Sequence, residues 1–566
     1  MRTLNRVVLL ALLVPAALRA QPSLPLKHEP QPTGPDITAG DLMTRLYIYA
    51  DDSMMGRRGG TPYNLKATAY IAREAASLGL EPAGDSGTYF QSLPLVRETI
   101  DSTSTIAVAG ATLRVYDDFL PRRVRGGASR SLDGAPVVFG GALDAADSLP
   151  AAAVRGALVV LAPARAAGPN PRLQLGALLA RFGTAAGVAL PGLERLPPVF
   201  RSAIRQPSLT MGGPAGPDSS PLILQVTSAA AARLVGAPLD SARLGATGRA
   251  LQARLLFSSE PAPARNVVAV LRGSDASLRG EYVAVGAHND HIGFNTAPVD
   301  HDSIRIWNHV VRPEGADDGG KQATPAQQAQ VDSLLAAWRT AHPGTQRADS
   351  IDNGADDDGS GTVSVLEIAQ KIASLRVKPK RSILFVWHTG EELGLLGSRW
   401  FTDHPTVPRD SIVAQLNIDM IGRGDAADEV GRTKAGAAIH GSPGYLQLVG
   451  SRRLSTELGD LVEQVNRDGH HDLTFDYSID ADGHPANIYC RSDHYSYARY
   501  GIPVVFFTTG IHSDYHQVTD EPEYIDYVHM ARVANLIEDV AVRVADLDHR
   551  VVVDHPKPDP NAACRQ

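Results

Sequence analysis

Three consecutive carboxylates, Asp356-Asp357-Asp358, stand between glycines in the run Asn353 to Gly361. Adjacent carboxylates repel one another. A helix entrance relieves part of that repulsion through its dipole and free N–H groups, and a cation relieves much more. The residues that follow, Val363, Leu366, Ile368, Ala369, Ile372 and Leu375, recur at helical spacing, so the acids stand at such an entrance. Four other stretches carry the same kind of chemistry. His288-Asn289-Asp290-His291 follows the apolar run 282–287, and Glu391-Glu392 follows 383–388. Asp419 ends the run 412–418, and His512 and His516 follow 504–507. One histidine or acid at a strand end is ordinarily structural. Five segments that deliver such residues to one sheet edge are poorly explained by coincidence.

Imidazole and carboxylate without thiolate suit Zn²⁺ or its transition-series neighbours. Only two cysteines exist, Cys490 and Cys564, which excludes the usual thiolate zinc site. Charge counting favours two ions. Two Zn²⁺ bring four positive charges, which three carboxylates and a bridging hydroxide cancel, so the cluster can sit in a partly buried cleft. Paired ions roughly 3.5–4 Å apart need one carboxylate that reaches both. The triple-Asp turn is the natural source of that bridge.

The elements that position these groups begin at Asn266. Runs at 267–271, 282–287, 383–388, 412–418 and 504–507 read as buried strands. Helical stretches at 363–375 and 393–402 separate several of them, and a last helix covers about 529–546. This alternation predicts an α/β fold: a mixed, mostly parallel sheet sandwiched by helices, with working residues beyond the carboxyl ends of the strands. Residues 38–104 add two helical patterns, around Leu42–Tyr49 and Ala67–Leu78, joined by the turn-rich Gly56-Arg57-Arg58-Gly59-Gly60-Thr61-Pro62. Residues 105–258 change to short β-like runs (135–139, 157–161, 222–226) with a helix over Leu175–Phe182, and hold no cluster of histidines and acids. They read as a separate inserted, β-rich domain. Residues 295–353 are polar, are too long for an ordinary connection and read as an inserted loop with one helical piece near 325–341. Within it Gly315-Ala316-Asp317-Asp318-Gly319-Gly320 partly imitates the triple-Asp turn, but lacks the third Asp and the Ser-Gly step into a helix.

A chain of 566 residues, 43% hydrophobic and 20% charged, is globular and too long for one ordinary core. A net charge of −8 with no basic stripe gives no reason to expect nucleic acid. Arg2 and Arg6 precede an apolar run from Val7 to Leu18, and Leu18-Arg19-Ala20 offers a cleavage site. Residues 1–20 therefore read as a secretory signal peptide and 21–37 as a linker, giving a secreted or periplasmic protein without a membrane anchor once the signal is removed. Export permits a Cys490–Cys564 disulfide, although Cys490 also sits in an apolar run that would bury a free thiol. The final segment, 548–566, reads as a tail.

Taken together, Val285 to His291, Gly354 to Gly361, Thr389 to Ser398, Asn417-Ile418-Asp419-Met420 and Asp514-Tyr515-His516 closely resemble the M28 family of zinc aminopeptidases, in the family's order. The resemblance covers about 38–104 and 259–547. It implies a zinc-exopeptidase fold, two Zn²⁺ per chain and peptide substrates. It assigns His288 and Asp419 to one zinc, Glu392 and His516 to the other, and Asp357 to the bridge. Glu391 would be the general base for the water that attacks the scissile carbonyl, and Asp290 would hold His288 by its second ring nitrogen. Tyr515 would help bind the oxyanion or the amine, and Asp493, in Ser492-Asp493-His494, would support the pocket wall beside the substrate or serve a plain structural role. His291 and His388 match no ligand position and read as structural or solvent-facing. Ser360 lacks a histidine partner and is no nucleophile. Residues 154–161 and 183–190 resemble the protease-associated (PA) domain that often interrupts this family. Three alternatives share the scaffold: a one-zinc glutaminyl cyclase, a carboxypeptidase or dipeptidase, and a non-catalytic ectodomain of the transferrin-receptor type. The first and last are disfavoured by the full ligand set.

Overall fold

The structure, a computed structural model, describes residues 24–123, 130–144, 149–164, 181–196, 207–212, 221–344 and 346–566. The signal-peptide residues, and the helix expected over Leu175–Phe182 except its last two positions, lie outside the described residues.

A nine-stranded mixed sheet carries the site. Its strands in chain order are β1 (Glu81–Pro82), β2 (Phe90–Ser92), β3 (Arg265–Leu271), β4 (Tyr282–His288), β5 (Ser382–His388), β6 (Ile412–Ile418), β7 (Tyr445–Val449), β8 (Thr474–Asp476) and β9 (Val504–Thr508). Their spatial order is β1-β3-β5-β4-β6-β9-β7-β8, with β2 also on β3. The central four, β5-β4-β6-β9, are parallel, and the pairings of β3 and β7 onto them are antiparallel. Register aligns the parallel strand ends: His288 pairs with His388, Gly286 with Asn417 and Ile418 with Phe507.

The continuous apolar runs have a direct cause. Along β5, Ile383, Phe385 and Trp387 enter one core while Leu384 and Val386 enter another on the opposite face. Along β4, Val283, Val285 and Ala287 share the first core, and Tyr282 and Ala284 the second. A strand buried on both faces needs no polar alternation. The first core is closed by α1 (Ala39–Tyr49), α2 (Pro62–Ser77), a helix over Gly361–Ser374 and a helix over Tyr527–Ala545. The caps follow sequence: Thr38 accepts the Asp41 N–H, Thr61 precedes a first-turn proline, and Asp526 accepts the Val528 and His529 N–H groups.

Among the described residues between 106 and 255, Ile106, Phe139, Val160, Leu224 and Leu255 belong to a separate core. A five-stranded sheet there contains the parallel neighbours Val137–Ala142, Leu158–Ala162 and Gly187–Pro191. The strands Leu95–Ile100 and Phe257–Pro261 pair antiparallel, so the chain leaves for this region and returns along one ribbon.

The segment 295–353 differs from the expected loop. Gly293–Asp300 and Ala348–Asp352 form an antiparallel ribbon, and two helices, His301–Val311 and Pro325–Ala341, lie between them. The second helix matches the expectation and begins with a Thr324/Gln327 capping box. The first carries Ile304, Trp307 and Val311 at helical spacing, and its buried residues are His301, Asn308 and Val311. His301 faces Asp349 at 2.9 Å and the Tyr524 hydroxyl at 3.1 Å, and Asn308 donates to Gln517 at 3.1 Å. Polar contacts thus dock this helix together with the buried Val311. The imitation turn at 315–318 is spent on ion pairs: Asp317 with Arg491 and Asp318 with Lys321, both at 2.7 Å.

Candidate metal centre

The triple-Asp turn gives its three carboxylates three different tasks. Asp356 accepts the Gly422 N–H at 2.7 Å and faces His512 Nε2 at 3.2 Å. Asp358 accepts the His288 N–H and the Gly361 N–H, each at 2.9 Å, which ties the end of β4 to the start of the following helix. Asp357 alone turns towards the other donors. Asp520 accepts the Asp356 and Asp357 N–H groups at 3.0 Å and anchors the turn from behind. The Asp357–Asp358 peptide is cis.

Asp357 stands between two sets of donors. Its Oδ1 is 3.1 Å from His288 Nε2, and its Oδ2 is 2.9 Å from His516 Nε2. On the first side, Asp419 Oδ1 lies 3.7 Å from His288 Nε2. On the second, Glu392 Oε2 lies 3.0 Å from His516 Nε2. His288, Asp357, Glu392, Asp419 and His516 therefore converge, drawn from four strand ends and one helix entrance. Glu391 lines the adjoining cavity together with His288, Asp357, Asp419 and Tyr515. That cavity has a volume of about 240 Å³, and Met420, Val430, Ile479, Ile488 and Phe506 give it an apolar wall.

Three sequence expectations need correction. The ring nitrogen of His288 is met at 3.0 Å by the main-chain carbonyl of Asp290, while the nearer carboxylate oxygen of Asp290 is 3.8 Å away. That carboxylate turns to the Gly390 and Glu391 N–H groups, at 2.7 and 3.2 Å, and so positions the Glu391-Glu392 turn. Asp493 does not line the cavity. It is fully buried and faces His388 Nδ1 at 3.3 Å, and His388 Nε2 meets the Tyr497 hydroxyl at 3.0 Å. Its neighbour Ser492 makes the contact with the cluster, donating to Asp419 at 2.7 Å. Of the structural and solvent-facing readings of His291, burial excludes the second. His291 is fully buried, with Nδ1 2.8 Å from Glu392 Oε1 and 3.7 Å from Asp357 Oδ2. Its position three residues after His288, at the turn that ends β4, was the available signal.

The electrostatics describe a site that calls for positive charge. Asp357, Glu392 and Asp419 form ion pairs only with histidines among the described residues. Burial disfavours the imidazolium form of His288, yet Asp419 and Asp357 raise its pKa well above the ordinary value. Glu392, Tyr515 and Asp357 do the same for His516 against its burial. Burial and Asp357 push the Glu392 carboxyl up, but His516 and His291 outweigh them and hold it at about 2. Burial raises Asp290 to about 7. Imidazoles drawn towards their charged form by carboxylates with no Lys or Arg partner are what divalent cations would replace. The donor set, nitrogen and oxygen without sulfur, fits zinc.

The model of peptidase family M28 matches residues 329–541, a span that holds Asp357, Glu391, Glu392, Asp419 and His516. Leupeptin-inactivating enzyme 1 of Streptomyces exfoliatus is 35% identical over 98 residues, 16% of this chain and 22% of that protein. Leucine aminopeptidase 1 of Aspergillus oryzae is 30% identical over 200 residues, 34% of this chain and 47% of that protein. The chain thus spans less than half the length of these curated relatives. The solved aminopeptidase from Aneurinibacillus sp. strain AM-1 is 15% identical with a TM-score of 0.49, over 92% of this chain and 97% of that one. The segment that carries the triple-Asp turn and the donors after it thus matches the model of peptidase family M28.

Proposed function

We propose that the protein is an exported dizinc aminopeptidase that removes the first residue of peptides, with preference for an apolar side chain. The observation that carries this reading is Asp357, whose two oxygens face two separate histidines, each with a further carboxylate. In this reading His288 and Asp419 hold one ion, Glu392 and His516 the other, and Asp357 both. The ions, when bound, would supply Lewis acidity that polarises the scissile carbonyl and makes water acidic near neutral pH.

Glu391 takes the proton of the attacking water at its carboxylate and returns it to the leaving amine. Its carboxyl is raised by burial and by its acidic neighbours Glu392 and Asp419, which favours holding a proton between the two steps. Asp290 fixes the backbone of Glu391, so the base is aimed by its main chain. Tyr515 lines the same cavity, which supports a role for it at the oxyanion or the amine. The wall from Met420 to Phe506 receives the first side chain, in keeping with relatives named leucine aminopeptidases.

Export accords with the disulfide Cys490–Cys564. Among the described residues, no helix is long and apolar enough to cross a membrane. The PA-like reading of 105–258 belongs to the same proposal and is supported by the separate core there.

The test is the zinc-loaded protein with a peptide library of varied first residue. Release of apolar first residues, lost with a chelator, is expected. Glu391→Gln should lower kcat by about 10²–10⁴-fold with zinc content unchanged. Full turnover by that variant would remove the proposed base. Ammonia released from peptides beginning in Gln, without cleavage, would replace the aminopeptidase by a cyclase.

A further inference from the structure

His291 is a buried imidazole to which neither the family resemblance nor the proposed mechanism gives a task. We propose that it is the fourth protein ligand of the second metal, through Nδ1, beside Asp357, Glu392 and His516. This rests on the dizinc reading and makes the two metal sites unequal.

The argument is geometric. A four-coordinate zinc with ligands at 2.0–2.1 Å spaces its donors about 3.3 Å apart. His291 Nδ1 lies 2.8 Å from Glu392 Oε1 and 3.7 Å from Asp357 Oδ2, and His516 Nε2 lies 2.9 and 3.0 Å from Asp357 Oδ2 and Glu392 Oε2. These separations straddle the tetrahedral spacing, and one donor atom from each of the four residues falls within 4.8 Å of all the others. The first site differs: beside the shared Asp357 it has His288 and Asp419, and the adjacent Asp358 is committed to the backbone N–H groups of His288 and Gly361.

The ring is also held in place. Gly354 lies against it with φ 59°, and a Cβ there would come within 2.5 Å of His291 Cγ and Cδ2. His516 meets the ring edge-on, with centroids 5.4 Å apart. A side chain fixed on two sides and aimed at two carboxylates loses little freedom when it takes an ion.

A four-ligand protein site is closed, whereas a three-ligand site keeps a position for an exchanging molecule. The second ion therefore serves as the fixed charge and the first as the exchanging centre. Removal of metal is correspondingly ordered: the ion held by His288 and Asp419 leaves first.

A competing role for His291 is a hydrogen-bond donor to Glu392 from outside the coordination sphere. X-ray absorption on the wild-type protein with two zincs separates the two. Three histidines over two ions give an average of one and a half imidazoles per zinc, and an outer role for His291 gives one. Titration with zinc in a metal buffer supplies a second readout, independent of turnover. His291→Ala should weaken the binding of one of the two ions by more than the about 10–100-fold that loss of an outer hydrogen-bond partner costs, and His291→Gln, which keeps an amide donor, should be weakened as much. One imidazole per zinc in the wild type, or wild-type affinity in His291→Gln, overturns the assignment and leaves the dizinc reading standing. A wild-type protein that binds only one zinc overturns both. The absorption measurement needs no variant, so misfolding of either substitution does not spare the proposal.

Discussion

The loop 56–62, which sequence marked only as turn-rich, supplies the clamp of the metal-binding turn, and Arg57→Met tests it. Arg57 is fully buried. Its guanidinium donates to the carbonyls of Asn353 and Gly354, the latter at 2.9 Å, the two residues that open the triple-Asp turn. It also lies over the Tyr49 ring, 4.6 Å from the centroid. Gly56 lets the loop in, since with φ 62° an added Cβ would lie 2.0 Å from the Gly293 carbonyl oxygen. Methionine fills much of the volume but donates nothing. The buried Asn353 carbonyl then loses its donor, at about 1–3 kcal/mol, while the Gly354 carbonyl keeps the Gly359 N–H at 3.1 Å, and the cation–π contact, worth about 0.5–2 kcal/mol, is lost as well. Relief from burying a charge offsets part of this. A net loss of about 2 kcal/mol is expected, a factor of about 30 in the folding equilibrium. Urea unfolding of the metal-free protein measures it, and zinc titration measures the accompanying loss of affinity as the turn loosens. A change under about 0.5 kcal/mol, with zinc affinity intact, would refute the view that Arg57 holds the turn.

Two further perturbations address other parts of the chain. Burial, and then Asp539, raise the Glu538 carboxyl to about 7. The unfolded chain ionises it near 4.3, so its favourable contribution is complete below that pH and is lost as pH rises towards 7. Glu538→Gln should match the wild type near pH 4 and exceed it at pH 8 by at most about 4 kcal/mol, and a pH-independent difference in thermal unfolding would contradict the assignment. The Cys490–Cys564 bridge ties the C-terminal tail to the cavity wall, where Gln566 also donates to the Asn487 side chain and accepts from the Tyr489 N–H. Replacing both cysteines by serine should cost about 2–4 kcal/mol and raise KM more than it lowers kcat. An unchanged KM would mean that the wall holds without the tail.

What the sequence by itself determined is the scaffold and the places where chemistry is delivered. Apolar runs without polar alternation could only be strands covered on both faces, and their ends fixed where His288, Glu391, Glu392, Asp419 and His516 enter. Strand register then brought those ends to one edge. The disulfide was open to sequence only as a permitted pairing, since nothing local brings residues 74 positions apart together. Tertiary structure decided which way each side chain at those ends turns. Periodicity stops where a strand stops, and the next few side chains take directions set by whatever packs around them. The carboxylate of Asp290 therefore serves the Gly390-Glu391 backbone and not His288, Asp493 belongs to His388 behind the pocket, and His291 turns inward against Gly354. The helix at His301–Val311 has Ile304, Trp307 and Val311 at helical spacing, but the polar composition around it drew the reading of a loop. Two of its docking residues, His301 and Asn308, are polar, and such residues declare a buried face only once their partners, Asp349, Gln517 and Tyr524, are in place.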